Sequence, residues 1–365
     1  MATRVSVPAA GTRKRSSRRF SWDLVRVVAV FAVLVHHLTF VGPNEPLGIA
    51  APPFESTYQF GASTLLVISA YFAGMTLSRY TSLQWWLRRM ARLLPAYVAA
   101  VFLVFTFVRV FAPADWPIRP SVVDLVGNIL LIQPWSEHIR YVDGSFWTLP
   151  VQVAGFTALA VLWHLRSRGR LPSLPILYAV ILVPLFLRVT YLAHEEPSSW
   201  LVALVEHTGL HRAHLFVAGI AIWRWSNREL RFAHLFALLG LTLIALHEQP
   251  PAGDSVGAFA IMLGLICLAA RGPDWRFLPE VLVRAVKWIA GISYGIYLVH
   301  QHIGYVIARR LTDLGFPSWV WVVATVCSAI VLGWALTRFV EQPAYRWISR
   351  TFRTLMARKA ATATT

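Results

Sequence analysis

Long apolar runs separated by short polar, basic or proline-bearing segments dominate the chain. Ten such runs fall near 24–41, 57–78, 95–111, 147–165, 174–193, 209–225, 231–247, 255–270, 289–308 and 318–340. Each is about long enough, at 1.5 Å of helix rise per residue, to cross a hydrocarbon core, where only a structure that satisfies its own backbone survives. The pattern predicts an all-α integral membrane protein built as a bundle of about ten transmembrane helices. The expected organisation is a basic tail over 1–19, one membrane domain over 20–345 and a cytoplasmic tail over 346–365, with 1–19 and 352–365 expected to be disordered. The longest connection, 112–146, carries Pro113, Pro117, Pro120 and Pro134, with Trp116, Trp135 and Trp147 at an expected interfacial depth.

Composition agrees with the pattern. Hydrophobic residues make up 57% of the 365 and charged residues 14%, with a mean hydropathy of +0.56, which excludes an ordinary soluble domain. A formal charge of +17 would suit a nucleic-acid partner, so its distribution decides. Basic clusters at 13–19, 79–92, 166–170, 224–231, 271–287 and 346–359 all fall on one face if the spans alternate. The loops 42–56, 194–208 and 248–254 contain no Lys or Arg. That asymmetry marks the cytoplasmic side, places both termini in the cytoplasm and removes the case for nucleic acid. The amino-terminal basic stretch and apolar run read as an uncleaved first helix, because the run is long and no small-residue cleavage site follows. Arg far outnumbers Lys, a bias associated with GC-rich bacterial genomes, and the expected location is a bacterial cytoplasmic membrane. Cys267 and Cys327 lie inside predicted spans and form no disulfide framework or thiolate metal site.

Three groups of residues carry candidate chemistry. Arg26 and His37 stand eleven positions apart in the first span, about three helical turns and roughly 16 Å along one face. Ionisable groups at such depth usually line a cavity and serve a function; the plainer alternative has Arg26 snorkelling to the interface and His37 bonded to a neighbouring helix. His36 points about 100° away and is the weaker candidate. Arg89 and Arg92 share a helix face just before Pro95, where the next span is expected to start. They form a phosphate clamp in one reading and an ordinary positive-inside pair in the other. His207, His211 and His214 recur beside Glu206 with the spacing of one helix face. A polar acceptor-site face or pore is the preferred reading there, and no metal is assigned.

Taken together, the motifs resemble the membrane-bound acyltransferase-3 family. Asp23-Leu24-Val25-Arg26 with His37 is similar to its first-helix motif, and Ser69-Ala70-Tyr71-Phe72 to its Ser-Gly-aromatic segment. Arg89-Met90-Ala91-Arg92 with Pro95 resembles its Arg-x-x-Arg motif, and Phe146-Trp147-Thr148-Leu149 its Trp-Ser-Leu motif. The run Ile292-Ser293-Tyr294-Gly295-Ile296-Tyr297-Leu298-Val299-His300 and Glu341-Gln342-Pro343 resemble its closing motifs.

The resemblance implies an O-acyltransferase that moves an acyl group, acetyl or another short chain, from acyl-CoA to a hydroxyl of a glycan, a lipid-linked sugar or a glycosylated small molecule. Acyl-CoA is then a donor substrate and no cofactor is implied. In this reading His37 is the catalytic base, and Arg26, Arg89 and Arg92 hold the donor. Asp23 stands at the cytoplasmic mouth, about 21 Å of helix rise from His37. Ser69, Trp147, Gln152, Ser293, Tyr294, His300 and Glu341 are supporting or acceptor-side residues. One departure stands out: Gln152 replaces the family's usual Glu and cannot carry charge. The chain is also expected to act without the hydrolase-like domain fused to some relatives. A multi-pass transporter or flippase, and a catalytically weakened family member, are the competing readings.

Overall fold

The computed structural model describes residues 19–165, 174–192, 198–249, 255–275 and 277–362. Every regular element among them is helical. The expected tail 1–18 and the basic cluster 166–170 lie outside the described residues.

Helix α1 spans Phe20–His36 and continues through a π turn, His37–Val41, and a final turn, Gly42–Asn44. Its first turn takes its cap from a distant residue. The Asp274 carboxylate accepts hydrogen bonds from the amides of Ser21 at 2.9 Å and Phe20 at 3.2 Å, satisfying donors that a helix start leaves open. Helix α2 spans Gly61–Leu77, and α3 spans Ser82–Phe111. The start expected near Pro95 is corrected: α3 begins at the Thr81 cap and runs unbroken through Pro95. Proline is tolerated inside membrane helices because neighbours re-satisfy the freed groups.

The long connection folds into a short helix, α4 (Val122–Ile129), held by a capping box between Ser121 and Asp124. Then follow α5 (Thr148–Leu165), α6 (Leu174–Leu187, extended by a π turn Arg188–Leu192), α7 (Ala213–Ser226), α8 (Phe232–His247) and α9 (Ser255–Arg271). The chain ends with α10 (Glu280–Val299), α11 (Gln301–Asp313), α12 (Ser318–Leu336), a π turn Thr337–Glu341 and α13 (Gln342–Thr362).

Each apolar run is therefore helical. By length and composition, six helices among the described residues can cross a membrane: Phe20–Asn44, Ser82–Phe111, Gly144–Leu165, Leu174–Leu192, Glu280–Val299 and Ser318–Thr351. Gly61–Leu77, Phe232–His247 and Ser255–Arg271 are apolar but shorter, and α7 has 14 residues.

Two further expectations are corrected. Residues 352–362 form helix rather than a disordered tail: α12, the π turn and α13 are continuous, and no Pro or Gly follows Pro343 before Thr362 to break them. The single span expected over 289–308 is two helices meeting at His300. The amide of His302 donates to Asp143 Oδ2 at 3.0 Å, and the His300 ring bonds the Tyr297 carbonyl at 2.7 Å. In an unbroken helix those groups would bond Leu298 and Gln301, so side chains have taken over two rungs of the ladder.

α1 packs against α2, α9 and α10, while α2 packs on α7 and α10 on α12. Small residues set the last contact: a Cβ at Gly333 would lie 2.5 Å from the Ile296 amide nitrogen, so only glycine admits this approach of two helix backbones. Buried side chains form one core around α2, α5, α7, α8 and α9 and a second around α1, α3, α10 and α11. α1 contributes to both, and Asp23, Arg26 and His37 lie along it and its π turn.

Candidate active site

α1 and α10 run side by side, and each carries a polar residue near the bottom of the shared stretch and a histidine near the top. His37 is half-buried at the first position of the π turn; His300 is buried at the α10–α11 break. Their rings lie edge to edge and nearly coplanar, 16° between planes and 4.9 Å between centroids, with His37 Nδ1 2.6 Å from His300 Nε2.

The hydrogen-bond network assigns the tautomers. The Tyr297 carbonyl can only accept, so His300 carries its proton on Nδ1 and donates to it at 2.7 Å. His300 Nε2 is then an acceptor, and His37 Nδ1–H donates to it. His37 Nε2 is left with an unshared lone pair. An imidazole whose far nitrogen is fixed by a hydrogen bond and whose near nitrogen is unprotonated is set up to take a proton.

The support for this pair begins in the turn before α5. Asp143 is fully buried; its Oδ1 accepts from the Ser145 amide at 2.9 Å and hydroxyl at 2.6 Å, and its Oδ2 accepts from the His302 amide. Tyr297 donates to the Ser145 carbonyl at 2.9 Å, and the Thr148 hydroxyl donates to the Tyr297 oxygen at 3.1 Å. The Phe146-Trp147-Thr148 turn is thus tied to the helix that presents His300. Sequence reasoning missed Asp143 and Tyr297. Asp143 is readable as the cap of the turn Gly144–Trp147, but its reach across to α11 is not. His36, by contrast, bonds the Ser56 carbonyl at 2.9 Å and stacks on Phe40, so its ring is committed to the loop after α1.

A second cluster gathers the arginines. Arg92, on α3, is 58% exposed and lies 3.9 Å from the 12%-exposed Glu341 at the end of the last π turn. Arg26 also bears electrostatically on Glu341 and sits 5.8 Å from the Phe72 ring. Tyr294 donates to the Leu93 carbonyl at 3.0 Å, joining α10 to α3 beside them. Arg89 differs from Arg92. Its guanidinium bonds the Phe72 carbonyl and the Thr76 hydroxyl, the latter at 2.8 Å, and lies 5.3 Å from the Phe156 ring. It cross-ties α2, α3 and α5, whereas Arg92 is mostly exposed.

The remaining motif residues have separate places. Ser69 on α2 donates to Gln152 Oε1 on α5 at 3.4 Å, so two motif positions far apart in sequence meet. Ser293 bonds the Ala290 carbonyl of its own helix, and Asp23 is buried in the first turn of α1. Trp147 lies under the Arg212 guanidinium, 4.8 Å from ring centre to Cζ. The shared helix face expected for His207, His211 and His214 is corrected. His207 ends a π turn, Gly209 adopts φ +74°, Leu210–Arg212 form a 3₁₀ turn, and only His214 lies on α7. Among the described residues no group of three His, Cys, Asp or Glu side chains is placed to hold a metal.

A histidine pair above an arginine–glutamate cluster, carried by a helical membrane bundle, is the arrangement into which the motifs of one family converge. The family model for the acyltransferase type 3 domain matches residues 19–338, and the chain belongs to that family. Among its curated relatives is the peptidoglycan O-acetyltransferase OatA of Listeria monocytogenes, 22% identical over 371 residues, covering 90% of this chain and 56% of that protein. Another is the putative peptidoglycan O-acetyltransferase YrhL of Bacillus subtilis, 22% identical over 356 residues, covering 88% of this chain and 54% of the relative. The chain thus spans little more than half the length of the relatives it matches. No solved structure gives a significant match.

Proposed function

We propose that the protein is a bacterial cytoplasmic-membrane O-acyltransferase that moves a short acyl group, acetyl in the first instance, from acyl-CoA to a hydroxyl of a glycan. Peptidoglycan, which appears in the names of both relatives, is the first acceptor to test. The observation that carries this reading is the His37–His300 pair, because its hydrogen bonds leave His37 Nε2 as a base.

The donor's phosphates are held by Arg92 with Arg26, two cations that converge on the Glu341 carboxylate. Arg89 fixes α3 against α2, so that Arg92 projects from a rigid helix. The pantetheine arm then spans the roughly 16 Å of α1 between Arg26 and His37 and brings the thioester to the histidines. The acceptor oxygen attacks the thioester carbonyl carbon as its proton passes to His37 Nε2. The imidazolium so formed is stabilised through Nδ1–H by His300. Collapse of the tetrahedral intermediate forms the ester, breaks the C–S bond and returns the proton from His37 to the CoA sulfur. Both termini lie in the cytoplasm, which puts the arginine cluster on the CoA side.

The test compares His37→Ala with His36→Ala, measuring CoA release from acetyl-CoA in the presence of peptidoglycan fragments and identifying the ester by mass spectrometry. Loss of a general base typically costs on the order of 10² to 10⁴ in rate. His37→Ala should show that loss, whereas His36→Ala, whose ring is bound to the loop, should keep most of the activity. Equal losses in two well-folded variants would remove His37 from this role.

A further inference from the structure

A slot of about 300 Å³ lies between α5 and α6. Val151, Ala154, Ala158 and Leu162 line it from one stripe of α5, Val180 faces them from α6, and Phe216 of α7 forms the floor. Both walls belong to helices long and apolar enough to cross the membrane, and Ala158 in the slot is solvent-exposed. The slot therefore opens sideways, toward what would be hydrocarbon. Its volume is at the bottom of the range for small-molecule sites, which suits one chain lying in the slot.

Its upper end is not apolar. Trp147 lies one turn before Val151 on the same stripe, and the Arg212 guanidinium stacks on its ring. Leu210 and Ala213, which flank Arg212, line the slot. Arg212 forms no hydrogen bond or ion pair with any described residue, and its Nε is sealed from solvent with no acceptor. Glu206, the carboxylate that acts on it electrostatically, is already bonded to Arg188 at 3.2 Å. A buried guanidinium N–H without an acceptor is costly, and the planar fork of donors to which it belongs fits the oxygens of a phosphate. From Trp147 to Leu162 the stripe is roughly 22 Å long, more than the roughly 15 Å depth of one leaflet.

We propose that this slot binds a lipid with a single long hydrocarbon chain and a phosphate head, the chain lying between α5 and α6 and the phosphate on Arg212 over Trp147. An occupant held this way has its head against the turn that ties Thr148 to Tyr297, next to the His300 network. The site stands independently of the donor reading.

The probe is hexadecyl phosphate carrying a diazirine near the chain end, photolysed with the full-length protein in detergent micelles, the adducts being mapped by peptide mass spectrometry. Label should fall on α5, α6 and α7 around the slot. Arg212→Gln should weaken retention at least about tenfold, the scale of a charge-assisted hydrogen bond, and Ala158→Phe, which fills the slot, should abolish slot labelling. An unchanged melting temperature and helical circular-dichroism signal in both variants report that the bundle is intact. Because the labelling needs no acyl transfer, its outcome is separable from that of the histidine variants. Label outside the slot, retention unchanged in Arg212→Gln, or hexadecanol held as well as the phosphate would each overturn the proposal. Displacement by phosphatidylglycerol as readily as by hexadecyl phosphate would assign the slot to bulk two-chain lipid and overturn it too.

Discussion

Replacing His300 isolates what the second histidine does for the first. In His300→Ala the 2.6 Å bond from His37 Nδ1–H is lost, and the imidazolium formed during the reaction loses that partner on its half-buried ring. A hydrogen bond to a charged group contributes about 1.5–3 kcal/mol. At about 1.4 kcal/mol per factor of ten, the rate should fall roughly 10- to 150-fold. That is smaller than the loss expected for His37→Ala, since the base itself survives. His300→Gln offers an amide oxygen that can accept from Nδ1–H, so it should recover part of the loss. The effect belongs on kcat, because the bond strengthens as charge develops on His37, while KM for acetyl-CoA should change little. The assay is CoA release by detergent-purified protein, with melting temperature and donor binding confirming the fold. A His300→Ala variant within threefold of the parent, or a Gln variant worse than the Ala variant, would show that His300 does not orient the base.

Three further outcomes follow from particular contacts. Gln152→Glu places a carboxylate against Ser69 between α2 and α5, where an uncompensated charge is costly; acyl transfer and melting temperature should stay level or fall, and a large gain in transfer would mark the natural protein as a weakened enzyme. Asp274→Ala removes the cap on α1 and should lower stability by about 0.5–2 kcal/mol at neutral pH. Burial acts to raise the Asp274 carboxyl, but the Ser21 and Phe20 amides, the Ser21 side chain and Arg19 outweigh it and hold it below its ordinary value. The melting-temperature difference between parent and variant should therefore be full above roughly pH 4 and vanish as pH falls through the folded-state pKa; a difference that persists in acid contradicts the ionised cap. In a background with Cys267 and Cys327 replaced, Glu137→Cys should react with a membrane-impermeant maleimide on intact cells and Ser167→Cys should not, and the reverse pattern would invert the topology.

The hydropathy pattern alone determined that this chain is a helical membrane protein, because burying a backbone in hydrocarbon leaves few other solutions and apolar runs of this length record that constraint directly. The sequence also carried the motif positions, including His37, His300, Arg92, Glu341 and the unusual Gln152. It did not carry their partners. That His300 is the residue on which His37 rests depends on α1 and α10 running side by side, a contact between residues 263 positions apart. Local pattern likewise pointed to one span over 289–308, since both halves are apolar; the break at His300 arises because Asp143, on a remote turn, takes the His302 amide. Arg89 and Arg92 look equivalent at their spacing, yet the neighbouring carbonyl and hydroxyl on α2 commit the first to a structural tie, while the second faces Glu341. The expected histidine face around 207–214 fails for a local reason, the left-handed Gly209, and the significance of Arg212 emerges only when the packing of α5, α6 and α7 leaves it over Trp147 with no acceptor for its Nε among the described residues. Periodicity fixes which residues enter the membrane, whereas which side chains meet there depends on packing between helices distant in sequence.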